Sequence, residues 1–540
     1  MKIAFFGAAR AVTGSCHMLA WEGGKILIDC GMRQGADAKG IYGEDAFPFD
    51  PNEISAVVLT HAHIDHSGLL PLLVKRGFSG PIVCTEATAQ LCTIMLPDSA
   101  HIQMQEAEWQ TRKNLRAGKP AVEPMYDIDD AQAALKLYRG ISYDEAVQLF
   151  PGVKLRLKNI GHLLGSAAAE LWVTEGHKTN KVVFSGDIGR GDRPILEDPE
   201  PIDTADFVVM EGTYGTRDHE VSTEAAKEAE LVEAFRAALA RGGNIVIPSF
   251  AVGRTQELLY YIKRILLKGL LPALKEVPVY IDSPLGIEAT KIYERSAAGY
   301  YDEEAREMAK TGSPFDFPTL RVAQTAEESK LINDEKGSKI IISSSGMADA
   351  GRIRHHLKHN LYRADSTVLF VGYQAAGTLG RLLVDGLKKV KLFGEEVRVN
   401  ASIVQIEGFS GHAGKSELIA WLGNMSPKPQ EIFLIHGEEE TLLSFQGALQ
   451  AKGFTTVVPH LGEMYELARA GEPAAAAVTM QPEAVDIKGR AYGYKLQDQL
   501  AALKSLVDRS LIRRSPDMPL KLSILEADIR SLTEKWEGLI

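Results

Sequence analysis

The run Thr60-His61-Ala62-His63-Ile64-Asp65-His66 follows directly on the apolar segment Val57-Val58-Leu59. It places three of the chain's 14 histidines and a carboxylate in one short loop, at the C-terminal end of a buried-looking strand. In an extended turn His61 and His63 point one way while Asp65 and His66 swing to the other, so one loop can serve two adjacent metal ions. Zinc accepts imidazole nitrogen and carboxylate oxygen, and two metals about 3.5–4 Å apart can clamp a nucleophilic water and a scissile phosphate. Such a loop works only if further ligands reach the same sheet edge, which constrains the topology of the whole chain.

Residues 1–210 read as short strands with helices between them. Runs rich in Ile, Val and Phe predict strands at Ile3–Phe6, Ile26–Asp29, Ala56–Leu59, Pro81–Cys84, Val153–Ile160, Ala168–Val173, Val182–Ser185 and Phe207–Met210. The polar stretch 86–150 is expected to be mostly helical, an insertion over one edge. From 211 to 395 the rhythm becomes a regular strand–helix alternation, with strands Asn244–Pro248, Val277–Ile281, Lys339–Ser343 and Thr367–Val371 each followed by a helix. That alternation predicts a parallel sheet with helices on both faces. Strand-like Val397–Ile406, a helix over 415–424 and strand Glu431–Ile435 are expected to resume the earlier style. The chain therefore reads as one α/β domain interrupted by another: a first part at 1–208, the insertion at 209–395 and a returning part at 396–468. A linker containing Gly471-Glu-Pro-Ala-Ala-Ala-Ala477 and a helical extension complete it at 469–540. Leu496, Leu500, Leu503, Val507 and Leu511, then Leu522, Leu525, Ile529, Leu532 and Trp536, form two helix seams suited to self-association as a homodimer.

Composition excludes several classes. With 45% hydrophobic and 24% charged residues the chain is an ordinary globular one. No stretch reaches the roughly 20 apolar residues of a membrane span, and the apolar run at the N-terminus is too short for a signal peptide. Cys16, Cys30, Cys84 and Cys92 lack paired or CxxC spacing and read as reduced thiols of a cytoplasmic protein. A net charge of −11 argues against non-specific coating of nucleic acid, though not against a local basic cleft. The segment 351–363, with Arg352 and Lys358, is the densest basic patch.

Further ligand types close other apolar runs. His162 follows Leu155–Ile160, Asp187 ends Val182-Val-Phe-Ser-Gly-Asp187, and His436 ends Ile432-Phe-Leu-Ile-His436, each beside a glycine that lets the backbone turn. Three instances of one design favour a shared site at one sheet edge. Asp29, closing Ile26-Leu-Ile-Asp29, has the same design and is assigned to hold the histidine loop by hydrogen bonds.

Taken in order, Asp29, the loop at 61–66, His162, Asp187 and His436 resemble the metallo-β-lactamase superfamily. That resemblance implies an αββα sandwich with two zinc ions per chain. One ion would take His61, His63 and His162, the other Asp65, His66 and His436, with Asp187 bridging. Asp187 and His436 stand 249 positions apart, far more than small thiolesterases or β-lactamases need. Glu211-Gly-Thr-Tyr-Gly215, Gly408-Phe-Ser-Gly-His412 and Leu434-Ile-His-Gly-Glu438 look like motifs A, B and C of the β-CASP nucleases. Phe250-Ala-Val-Gly-Arg-Thr-Gln-Glu-Leu258, Ser343-Ser-Ser-Gly-Met347 and Val371-Gly-Tyr-Gln-Ala-Ala-Gly-Thr-Leu379 are also similar. The resemblance spans about residues 1–468. A histidine at motif C goes with RNA-processing members, so His436 favours RNA. Two positions after His412 the family usually carries an acidic residue, where this chain has Gly414.

The implied activity is hydrolysis of single-stranded RNA, leaving a 5′-phosphate and a 3′-hydroxyl. A hydroxide shared by the metals attacks, Asp65 orients it, and His412, steered by Glu211, protonates the leaving oxygen. RNA would thread a cleft between the domains and meet Arg254, Arg352 and Lys358. A hydrolase of small esters or thioesters on the same core is disfavoured by the inserted domain and by the Glu211–His412 pair. An inactive RNA-binding scaffold is disfavoured because every ligand is kept.

Overall fold

The computed structural model describes residues 1–34, 47–219, 223–375, 377–406 and 408–467, with a few positions between 503 and 530. Its centre is two seven-stranded sheets packed face to face. One runs, in spatial order, Met464–Glu466, Lys2–Phe5, His17–Trp21, Gly24–Ile28, Ala56–Val58, Ile82–Thr85 and Tyr138–Ile141. The other runs Thr456–Val457, Glu431–Ile435, Phe207–Glu211, Lys178–Phe184, Ala167–Glu175, Val153–Asn159 and Val147–Phe150. Alternation drives the packing. Val153, Leu155 and Leu157 enter the core between the sheets, while Arg156 and Lys158 on the opposite face pair with Glu170 and Glu200. Ile3, Phe5, Ile26 and Val58 meet them from the first sheet, together with Phe184, Phe207 and Phe433 of the second.

Helices cover both outer faces. Lys415–Gly423 and Glu439–Ala451 bury Leu418, Trp421, Leu442 and Phe445 against the second sheet. Glu86–Arg116 packs on the first through Leu91 and Cys92, its N-terminus capped by the Thr85 hydroxyl. The αββα sandwich expected from the resemblance is present.

Between Glu211 and Glu431 the chain builds a separate, wholly parallel sheet in the order Leu320–Val322, Val279–Asp282, Ile340–Ser343, Ile245–Pro248, Thr367–Val371, Ser402–Ile406. Its inner strands, such as Ile-Val-Ile-Pro and Thr-Val-Leu-Phe-Val, are buried at every position, as a sheet covered on both faces requires.

Two expectations need correction. Val397–Ile406 is not one strand resuming the first domain. Glu395–Arg398 closes a hairpin with Lys389–Leu392, and after a break Ser402–Ile406 pairs with Thr367–Val371 as the edge of the inserted sheet. An edge strand carries the same apolar signature in either sheet, so only its pairing decides. The stretch 86–150 is mostly helical, as expected, but it is more than an insertion over one edge. It ends in Tyr138–Ile141 and Val147–Phe150, which become the edge strands of the two sheets. Half-exposed edge strands lack the strong alternation that marks inner ones.

In the C-terminal unit, Leu503, Val507, Leu522 and Leu525 are helical and half-buried, and Ile529 is helical and exposed. Leu496, Leu500, Leu511, Leu532 and Trp536, and the linker at 471–477, lie outside the described residues.

Candidate metal centre and its surroundings

The strand Ala56–Val58 runs into the ligand loop, and Ile64–Ser67 winds a single helical turn that carries Asp65 and His66. Gly31 lets the loop close, because a Cβ there would fall 1.6 Å from the Asp65 carbonyl oxygen. His162 and Asp187 enter from the loops after Val153–Asn159 and Lys178–Phe184, where Gly161 and Gly186 take left-handed turns (φ 67° and 58°). At His436 the expected division of labour fails. The histidine itself adopts φ 50°, held by its N–H donating to the Ala8 carbonyl at 2.7 Å. Asp29 does likewise at φ 61°. Strain of this kind persists only where the surroundings over-determine the backbone.

All seven proposed ligands converge. His63 Nδ1 lies 3.1 Å from His61 Nε2 and 3.3 Å from His162 Nε2. Asp187 Oδ2 lies 3.5 Å from both His61 Nε2 and His162 Nε2. The other carboxylate oxygen faces the second group: Asp187 Oδ1 is 3.3 Å from His66 Nε2 and 3.6 Å from His436 Nε2, which is 3.7 Å from Asp65 Oδ2. Four donors about 2.0–2.1 Å from a tetrahedral metal stand about 3.3 Å from one another, so both groups have the spacing of coordination polyhedra. Asp187 Oδ1 and His436 Nε2 are buried without any hydrogen-bond partner, which a cation would supply. The residues fit a pair of metals.

The outward nitrogens are held. His66 Nδ1 meets Asp29 Oδ2 at 2.8 Å, and the Thr60 amide and hydroxyl donate to the two oxygens of the same carboxylate at 2.7 and 2.9 Å. His61 Nδ1 meets the Thr60 hydroxyl at 3.1 Å, His436 Nδ1 the Thr213 hydroxyl at 3.0 Å, and His162 Nδ1 the Gly411 carbonyl at 3.1 Å. At His61, His162 and His436 the bond places the proton on Nδ1 and leaves the Nε2 lone pair aimed inward. Thr60 and Thr213 were not singled out from sequence, although both lie inside quoted motifs. A hydroxyl beside a ligand carries no signal of its own.

Burial pushes His61, His63 and His162 below the ordinary imidazole value and keeps them neutral, the form that binds metal. For Asp187 burial works the other way, but His436, His66 and His61 outweigh it and hold the carboxyl well below its usual range. His66 is buried too, yet Asp187 and Asp29 hold its proton well above the ordinary value. The same acidic field favours a cation.

His412 belongs to neither of these two groups, although with Asp187 and His436 it makes a third set of donors that could hold a cation. Its Nδ1 bonds Glu211 Oε1 at 3.1 Å, and its Nε2 is 3.9 Å from Asp187 Oδ2, beyond the ligand spacings. Burial opposes its charge, but Glu211 and Asp187 overcome that and push its pKa up to about 9. Glu211 also accepts from the Ile188 and Thr213 amides, at 2.7 and 3.2 Å. The structure accounts for Gly414 as well. Asp218 Oδ1 would lie 3.1 Å from a Cβ at 414, so Asp218 occupies the place an acidic side chain there would take. It accepts from the Ser416 amide at 2.6 Å, and His219 Nε2 donates to the His412 carbonyl at 2.9 Å.

Of the basic residues, Arg254 adjoins the centre. It pairs with buried Glu257 and lies over the Phe409 ring at 5.4 Å. Arg193, missed in the sequence, donates to the His162 carbonyl at 2.8 Å and approaches Glu257 at 3.6 Å. Lys227, pushed down to about 8 by burial and then by Arg190, lies near the same carboxylate. Arg352 and Lys358 are not brought to the centre. Arg352 bonds Asp282 at 2.7 Å and the Ala323 and Gln324 carbonyls, and Lys358 pairs with Glu395 at 2.9 Å.

A double-sheet sandwich with seven such ligands at its edge, interrupted by a parallel-sheet domain, defines a hydrolase of the metallo-β-lactamase fold. Comparison with known families gives the rest. Residues 9–240 match the metallo-beta-lactamase superfamily, 255–383 the Beta-Casp domain, and 396–459 the Zn-dependent metallo-hydrolase RNA specificity domain. "Ribonuclease TTHA0252" of Thermus thermophilus is 37% identical over 86% of this chain and 99% of its own length. "Transcription termination factor FttA" is 31% identical in Methanosarcina mazei, over 84% of this chain and 69% of the relative. The Methanocaldococcus jannaschii form is 32% identical over 82% and 68%. The chain belongs to the β-CASP family of metallo-β-lactamase-fold nucleases, metal-dependent hydrolases of RNA phosphodiester bonds. Among the described residues no helix is long and apolar enough to cross a membrane.

Proposed function

We propose that the protein binds two zinc ions and cuts single-stranded RNA, leaving a 5′-phosphate and a 3′-hydroxyl. The observation that carries this reading is His412, held by Glu211 beside Asp187 yet outside both ligand groups. When bound, the metals supply the positive charge that acidifies a water and screens the phosphate oxygens. One group would comprise His61, His63 and His162, the other Asp65, His66 and His436, with Asp187 facing both. Asp65 orients the attacking water through its carboxylate. His412 carries its proton on Nε2 toward the leaving 3′-oxygen, and Glu211 keeps the ring protonated and aimed. Nothing in this arrangement uses the 2′-hydroxyl as a nucleophile. Arg193, Arg254 and Lys227, three cations around one carboxylate, supply positive charge for the backbone phosphates.

The test is a labelled single-stranded RNA with one 2′-deoxy substitution at the cut site, combined with elemental analysis. Cleavage of that bond and two zinc ions per chain are expected. Complete resistance of the substituted bond, a 2′,3′-cyclic phosphate on the product from the unsubstituted strand, or a single metal in protein purified without chelator, would overturn the reading.

The apolar seams of the C-terminal extension support a homodimer, and truncation near Ala470 should halve the particle mass in solution. All four cysteines are buried free thiols, which suits a cytoplasmic setting.

A further inference from the structure

Phe250 and Tyr373 are each half-exposed, at 51% and 50%. They belong to adjacent strands of the inserted sheet. Ile245–Pro248 and Thr367–Val371 run parallel, with Ile245 opposite Thr367, and each aromatic stands two residues past the C-terminal end of its strand. The connection after Pro248 leads toward Val279–Asp282, whereas that after Val371 leads to Ser402–Ile406, in opposite directions across the sheet. A crevice opens at such a divergence, outside the carboxyl ends of the two strands, and it is where α/β sheets take their ligands.

Neither ring sits on a loose loop. The Phe250 ring lies against bare backbone at Gly346, where a Cβ would come within 2.8 Å of it. Its carbonyl accepts from the Thr255 hydroxyl at 2.7 Å. Beside Tyr373, buried Gln374 donates to the Gly346 and Tyr373 carbonyls at 3.2 and 3.1 Å. Gly346 thus touches the Phe250 ring and, through Gln374, is tied to the backbone of Tyr373. Three residues beyond Phe250, Gly253 lies against the side chain of Leu163, the chain neighbour of His162, where a Cβ would come within 3.1 Å of it.

We propose that Phe250 and Tyr373 form a stacking platform for unpaired bases of the RNA strand next to the cut. The inference rests on single-stranded RNA being the substrate. Half-exposed aromatic rings suit this task because every base offers a π-face, so grip on the strand does not depend on sequence. A duplex, its bases already stacked, gains nothing from the platform.

The experiment compares wild type, Phe250→Leu, Tyr373→Leu and Phe250→Trp on a labelled oligoribonucleotide, and scans wild type with abasic substitutions along that strand. Each leucine variant should raise KM about 5- to 100-fold with a much smaller change in kcat, and tryptophan should restore it. Abasic positions beside the cut should raise KM similarly, a result that does not depend on any variant folding. Unchanged KM in both leucine variants, or at every abasic position, overturns the platform while leaving the ribonuclease reading intact. Wild-type enzyme that hydrolyses bis(p-nitrophenyl) phosphate but not the RNA overturns both.

Discussion

The sandwich keeps its chemistry inside, whereas the inserted domain presents its features at the surface. At the candidate metal centre, His61, His66, His162, Asp187 and His436 are buried, and the imidazole nitrogens facing away from the centre have fixed partners in Asp29, Thr60, Thr213 and the Gly411 carbonyl. At the carboxyl edge of the inserted sheet, Phe250 and Tyr373 stand half in solvent, the Phe250 ring against Gly346. The difference teaches where tolerance lies. Metal ligands need sub-ångström placement and a dry, acidic pocket, so they are built into loops closed by a two-sheet core. A flexible polymer needs faces and charge that many conformers can meet. If this division is right, substitutions in the sandwich should abolish chemistry, and those at the inserted edge should weaken substrate binding.

The largest effect is expected from Asp187→Asn, because that carboxylate faces both ligand groups. Metal affinity should fall by more than about 100-fold, above the usual loss for an outer partner, and activity should drop to background. Isothermal titration of the apo-protein with zinc checks this, and retention of both metals would refute a shared ligand. His412→Ala should keep its metal yet lose about 10²–10⁴-fold in kcat, the range for a lost general acid. A near wild-type rate on ordinary RNA would mean that the leaving oxygen takes its proton elsewhere. Glu211→Gln should cost about 10- to 100-fold in kcat, the kinetic equivalent of one charge-assisted hydrogen bond. An equal loss in His412→Ala and in the double variant with Glu211→Gln would show that the carboxylate acts through the imidazole.

The smallest effect sharpens the contrast. Arg254→Met should raise KM a few-fold and make the salt dependence shallower by about 0.7 in the log–log slope, as expected for one lost phosphate contact on a single strand. A lowered melting temperature with unchanged KM would instead assign Arg254 to its pairing with Glu257.

What the sequence determined by itself was local. The candidate ligands were legible before any pairing was known: His162, Asp187 and His436 each follow an apolar run, and His61, His63, Asp65 and His66 share the loop after Val57–Leu59. The strand–helix alternation of 211–395 likewise announced a parallel sheet. Tertiary structure decided the rest. Only strand pairing put Ser402–Ile406 in the inserted sheet. Only folding brought Asp218 into the place left by Gly414, carried Thr213 to His436, and set Phe250 against Gly346. The physical reason is the same in each case. Burial periodicity is written in neighbouring residues, but a hydrogen bond or stacked ring between residues distant in the chain leaves no pattern until the backbone brings them together.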